Sequence, residues 1–392
     1  MNSNKYDETN WFIYFNESLK NNTIFNHLDN LKKYMPNKLH QSNKNKLYKL
    51  INEYCLEITD VESLNNLETF LNKNPDSDIT KLYDFKFYIA NLKNIKKNKI
   101  QKDYNTTLVR GIPQNPMFNP EKFEDFIDNF ITKDGDVFVV TYVKAGTSWL
   151  QQIIHCLLNK GKTSGNYGES VPWLEACACS NEILSRRAAP KWDMNKINQA
   201  PAPRYFKTHA NIRDLPRGKA NIKIIYIARN PKDTVVSLYY HAKSKPEFKY
   251  KGDFNRFLSI FLENSAENGS WFDHVLDWYN ECSKNPENHL FLKYEDVYDN
   301  TRDSILKIAS FLNIYINDEI LNSCLIGSSF DEMKVNSNIG FNHIRKGGYG
   351  KWREKFDKQT SIMFDNIYKE KMKNSDLIFN FGPDNNGDNV IL

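Results

Sequence analysis

Four short, almost uninterrupted apolar runs, at 137–142, 204–207, 223–228 and 289–294, constrain this chain more than any other feature, because amphipathic, helix-length stretches lie between them. A sheet wet on one face alternates apolar and polar residues, whereas strands covered on both faces read as continuous apolar runs joined by helical crossovers. The pattern predicts an α/β domain over 106–392: three α/β/α layers around a central parallel sheet. Ligands in such sheets sit beyond the carboxyl ends of the strands, so function is sought in the residues that follow each run.

Residues 1–105 read differently. They hold none of the 16 glycines and only two prolines, Pro36 and Pro75, while Leu47, Leu50, Ile51, Tyr54 and Ile58, then Leu64, Leu67 and Leu71, recur at helical spacing. A small helical N-terminal extension of unassigned function is expected, joined to the rest through the basic stretch 94–102. A net charge of +5 spread over 392 residues gives no reason to expect nucleic acid or anionic lipid as a partner. The longest apolar runs fall far short of the roughly 18 residues of a spanning helix, and no leader is read at the N-terminus, so no membrane partner is expected. Six scattered cysteines without CxxC spacing fit reduced thiols in a cytoplasmic protein.

Polar chemistry collects at three strand ends and one late loop. After the first run, Lys144, Gly146, Thr147 and Ser148 precede a helix whose apolar face carries Leu150, Ile153, Ile154 and Leu157. Glycine admits close backbone approach, first-turn amides and hydroxyls donate to an anion, and lysine adds charge. The loop reads as a phosphate site, though not as a Walker A motif, because GxxxxGK[ST] is absent; a plain strand-to-helix turn has the same letters. After the third run, Asn230, Pro231 and Asp233 form a helix start of capping-box type, which leaves Arg229 at the strand tip and Ser237 two turns on. Either Arg229 and Ser237 hold a second phosphate or the arginine simply pairs with a carboxylate. Arg345, Lys346 and Lys351 interleave with Gly347, Gly348 and Gly350 before Trp352, as in a mobile anion clamp or a basic surface loop. The second run ends in Lys207 and His209, and a histidine beside a phosphate loop is the candidate general base.

In order and spacing, 142–149, 206–209, 226–233 with Ser237, and 345–352 resemble the cytosolic sulfotransferases, supported by 109–113, 171–175, 294–296 and 329–333. The resemblance covers about 106–375 and implies the P-loop-like fold of that family. It implies an enzyme moving a sulfuryl group from 3′-phosphoadenosine 5′-phosphosulfate (PAPS) to a hydroxyl or amine of a small, hydrophobic or phenolic acceptor, without a metal. Carried over, Lys144, Gly146, Thr147 and Ser148 would bind the 5′-phosphosulfate, Lys144 stabilising the leaving oxygen. Trp149 and Phe330 would flank the adenine, with Tyr294 and Ser328 as polar contacts. Arg229, Ser237, Arg345, Lys346 and Gly347 would hold the 3′-phosphate; His209 would deprotonate the acceptor, and Lys207 would orient it. The chain departs from the family pattern at Val143, Ala145 and Lys351, and Asp357, Lys358 and Ile362 fit the usual dimer motif poorly, leaving the oligomeric state open. The acceptor loops are expected at 159–192 and 243–251, where Pro172, Trp173 and the nearby Phe and Tyr read as an apolar slot. Two other readings stand beside this one: a P-loop phosphotransferase or nucleotide kinase, and a non-catalytic protein on the sulfotransferase fold.

Overall fold

The computed structural model describes residues 104–180, 194–216, 218, 220–335, 347–383 and 389–391. The helical reading of the N-terminal extension lies outside the described residues, as do Arg345 and Lys346.

The four runs form one parallel sheet of β1 (Val137–Thr141), β2 (Tyr205–Thr208), β3 (Lys223–Ala228) and β4 (His289–Lys293), in the order β2-β1-β3-β4. Register sets Val140 opposite both Thr208 and Tyr226, so β1 ends between its neighbours and their three following loops converge. Each strand buries alternate residues on opposite faces. Val137, Val139, Ile225, Ile227, Leu290 and Leu292 pack on α1 (Thr147–Leu158) and two later helices described below. Phe138, Val140, Phe206, Ile224 and Tyr226 meet the aromatic side of α2 (Pro231–Ser244), α3 (Phe254–Leu262) and α4 (Trp271–Lys284), where Phe257, Trp271 and Trp278 are buried. The short α5 (Tyr294–Asp299) follows β4; α6 (Thr301–Phe311) and α7 (Asp318–Gly327) complete the first face, and α8 (Lys358–Met372) lies near the C-terminus. The architecture is the three-layer α/β/α arrangement expected.

Four strand limits differ by a residue from the sequence reading: β2 runs on to Thr208, and the other three differ at residues engaged elsewhere. Arg204 precedes β2 because its guanidinium is spent on buried Asp136, Nε lying 2.8 Å from Oδ1. Tyr142 leaves the ladder to donate its hydroxyl to the Gly269 carbonyl at 2.9 Å. Tyr294 is the first residue of α5 rather than the last of β4. Ahead of the sheet, Tyr104 stacks on Phe248 at 5.1 Å, and an antiparallel pair joins Thr107–Val109 to Ile112–Gln114. No helix among the described residues is long and apolar enough to cross a membrane.

Candidate active site

A cavity of about 460 Å³ is lined by the residues that follow β1, β2 and β3. Lys144, Gly146, Thr147, Ser148, Trp149, Lys207, His209, Arg229, Ser237, Tyr294, Ser328, Phe330 and Gly347 all line it, so every described residue expected to bind the donor or act in transfer is gathered there.

The turn after β1 is built by two unusual backbone states: Lys144 has φ +70° and Gly146 has φ +105° as the N-cap of α1. Gly146 has no side chain with which to cap the helix, which leaves first-turn amides for a ligand. A Cβ on Gly146 would lie 2.6 Å from Cδ2 of Tyr294, so glycine is required by space as well as by φ. Gly146→Ala is expected to destabilise the fold by about 1–3 kcal/mol and to displace Tyr294, which paired thermal melts and nucleotide titrations will register. Lys144 and Lys207 are both pulled down to about 8, chiefly by burial. Glu267 opposes the shift at both, while Lys207 and Arg229 add to it at Lys144. Lys207 is fixed by the segment beside β2: its amide donates to the Pro172 carbonyl at 2.9 Å and its Nζ stands 4.6 Å over the Trp173 ring.

His209 is held at every polar atom of its backbone. Its N–H donates to Oε1 of buried Glu175, which also accepts from the Thr208 hydroxyl at 2.9 Å. Its carbonyl accepts from Asn268 Nδ2 at 2.9 Å and from His274 Nε2 at 3.1 Å. The Tyr226 hydroxyl donates to His274 Nδ1 at 2.9 Å, fixing the tautomer that serves His209, and burial pushes His274 down to about 4, which keeps it neutral. In the His209 ring, Nδ1 is 2.9 Å from the Thr141 carbonyl. A carbonyl only accepts, so Nδ1 carries the hydrogen and Nε2 keeps its lone pair. Thr141 Oγ1 lies 3.0 Å from the same Nδ1 and 2.7 Å from Thr147 Oγ1, tying the imidazole to the first residue of α1. Burial, and next the Lys207 charge, holds the ring well below the ordinary histidine range.

At the other end, Arg229 Nη2 donates to the Gly348 carbonyl at 2.8 Å, and its guanidinium stands 4.5 Å over the Tyr294 ring. Among the described residues its buried Nε has no hydrogen-bond partner, a donor fitted to an anion. Trp149 meets Tyr294 edge-on at 5.3 Å, and a Cβ on Gly347 would lie 2.6 Å from the Phe330 ring. The Ser328 hydroxyl donates to the Cys324 carbonyl at 2.7 Å and so offers a ligand only its lone pairs.

Several lining residues escaped the sequence reading, Asn115, His241, Glu267 and Tyr298, while Tyr167 comes from the first expected acceptor loop. Tyr298 had a signal, one helical turn after Tyr294. Asn115 and Glu267 are 3.0 Å apart across 152 positions, which no local pattern foretells. The second expected acceptor loop fails in part: Phe248 and Tyr250 are buried in the aromatic core around Tyr104 instead of lining the cavity.

A family model described as the sulfotransferase domain matches residues 134–376. Sulfotransferase 1E1 of Bos taurus is 33% identical over 288 residues, covering 69% of this chain and 93% of that one. Sulfotransferase 2B1 of Mus musculus is 32% identical over 283 residues, covering 67% and 79%. Among solved structures, mouse sulfotransferase SULT7A1 complexed with PAP superposes with a TM-score of 0.58 at 30% identity, covering 69% of this chain and 95% of that one. Retinol dehydratase in complex with androsterone and inactive cofactor PAP shares the fold, with a TM-score of 0.60 at 22% identity and coverage of 72% and 96%.

Proposed function

The chain belongs to the sulfotransferase family, and from that premise we propose that it moves the sulfuryl group of PAPS to a hydroxyl or amine of a small acceptor, with His209 as general base. The observation that carries this reading is the pairing, in one cavity, of a neutral imidazole whose Nδ1 hydrogen is committed, leaving Nε2 its lone pair, with Lys144, Lys207 and Arg229. Bound there, the donor supplies an activated sulfur with a phosphate leaving group. Lys144, Thr147 and Ser148 hold the 5′ end, Trp149 and Phe330 flank the base, and Arg229 with Ser237 takes the 3′-phosphate, joined by Arg345, Lys346 and Gly347. His209 Nε2 accepts the acceptor's proton as the new bond from sulfur to the acceptor oxygen or nitrogen forms and the bridging S–O bond breaks, while Lys144 offsets the charge left on the bridging oxygen. Lys207, braced on Trp173, orients the acceptor, and Trp173 supplies an apolar wall suited to a hydrophobic or phenolic ring. The division at about residue 105, with the preceding region as an accessory, belongs to the same proposal.

The test is calorimetric titration with 3′-phosphoadenosine 5′-phosphate (PAP) beside ADP and ATP, with and without magnesium. Tight, metal-independent binding of the bisphosphate with weak ADP and ATP binding is expected; preference for magnesium–ATP would point to a phosphotransferase instead.

A further inference from the structure

The turn after β3 grips the glycine segment at three points. Arg229 holds the Gly348 carbonyl, as described. Asp233, buried in the first turn of α2, accepts from the Gly350 amide on Oδ2 at 2.7 Å and from the Trp352 amide on Oδ1 at 3.1 Å. Lys232, 1% exposed, sets its Nζ 4.0 Å from the centre of the Trp352 ring and ties it to α8 through Asp365 and the Ser361 hydroxyl.

A capping-box acid reaches back to the amide of its own N-cap residue. Here that amide, on Asn230, donates to Glu295 Oε1 at 2.8 Å, while the Asn230 side chain caps the Asp233 amide at 2.9 Å. The Asp233 carboxylate is thus spared the N-cap amide: it accepts from the Asn230 side-chain amide on Oδ2 at 2.8 Å, stands 3.9 Å from Arg229 Nη2 on Oδ1, and spends its other bonds on the amides of two residues more than a hundred positions away. Those residues need it: Gly347, Gly348 and Gly350 adopt φ of +60°, +68° and +79°, and a glycine-rich segment gives up more backbone freedom on ordering than any other.

We propose that Asp233 is a positioning residue for recognition of the donor's 3′-phosphate: it fixes the glycine segment and, through the Gly348 carbonyl, the Arg229 guanidinium. The inference rests on the reading that Arg229 contacts that phosphate.

The experiment compares PAP with AMP, which lacks the 3′-phosphate, by calorimetry on the full chain and on Asp233→Ala, Asp233→Asn and Asp233→Glu. Wild type is expected to prefer PAP by about 10–100-fold, the worth of charged hydrogen bonds to one phosphate. In Asp233→Ala the Kd for PAP should rise about tenfold or more, with the Kd for AMP changed by less than about twofold and the donor KM raised at nearly constant kcat. Asp233→Asn, which keeps one acceptor and the volume, should fall between, and Asp233→Glu should recover part of the preference. Equal weakening of PAP and AMP, or full preference in every variant, would overturn the role of Asp233. Equal binding of PAP and AMP by wild type would overturn the Arg229 reading instead. If the alanine variant does not fold, the asparagine variant decides.

Discussion

Removal of the imidazole in His209→Ala is expected to lower kcat by about 10²–10⁴-fold, with PAP affinity within about twofold of wild type. The size follows from what Nε2 does: with Nδ1 committed to the Thr141 carbonyl and the His209 backbone clamped at both N–H and carbonyl, the other nitrogen accepts the proton. The nucleotide site, in contrast, is built from α1, Arg229 and Tyr294, which the substitution leaves in place. Single-turnover transfer combined with PAP calorimetry separates the two effects. Because burial and Lys207 lower the folded pKa of His209, the ring gains a proton only when pH falls well below 6.5, so it remains a base through the neutral range. Its imidazole resonances in the donor-free enzyme should accordingly titrate well below 6.5. A variant with wild-type rates would remove His209 from the role, and a ring titrating at 6.5 or above would overturn the effect assigned to burial and Lys207.

The central sheet was legible because its strands are apolar on both faces, and that pattern survives without knowledge of what lies above or below. Its ends were less so. Arg204, Tyr142 and Tyr294 each look like strand residues until the partner is known, and Asp136, Gly269 and the start of α5 are those partners. Pairings made by topology leave no local trace.

The site divides in the same way. Lys144, Gly146, Arg229 and His209 were readable because each sits within five residues of a strand end, where the fold class alone directs ligands. What fixes them was not. The chain from Tyr226 through His274 to the His209 carbonyl joins β3, α4 and the turn after β2, and each residue taken alone reads as core. Phe248 and Tyr250 show the converse error: aromatic residues in a loop resembled a slot but serve as packing against Tyr104 and Phe257. Asp233 was placed correctly at a helix start, yet its carboxylate serves the glycine segment, because Glu295 already satisfies the amide it was expected to cap.

Lys144→Met should cost about 10²–10³-fold in kcat, the usual effect of removing one donor from a developing oxyanion, and it should also change the proton balance of nucleotide binding. In the donor-free cavity Lys144 and Lys207 both stand at about 8, so at pH 8 each is roughly half protonated. A bound phosphate favours the charged form and raises both pKa values. Binding of PAP at pH 8 therefore draws in up to about one proton in total, about half from each lysine. The sign of the pH dependence follows. Below pH 8 both lysines are already charged and affinity is flat; as pH rises past 8 the protons must be taken from increasingly dilute solution, and affinity falls with a slope approaching one proton per lysine. Lys144→Met should halve the uptake at pH 8 and reduce the slope by about one. Any upward drift of the Lys207 pKa in the variant only diminishes the uptake further. Calorimetry in two buffers of different ionisation enthalpy reads the proton count directly. Uptake unchanged in the variant would mean that Lys144 does not face the bound phosphate.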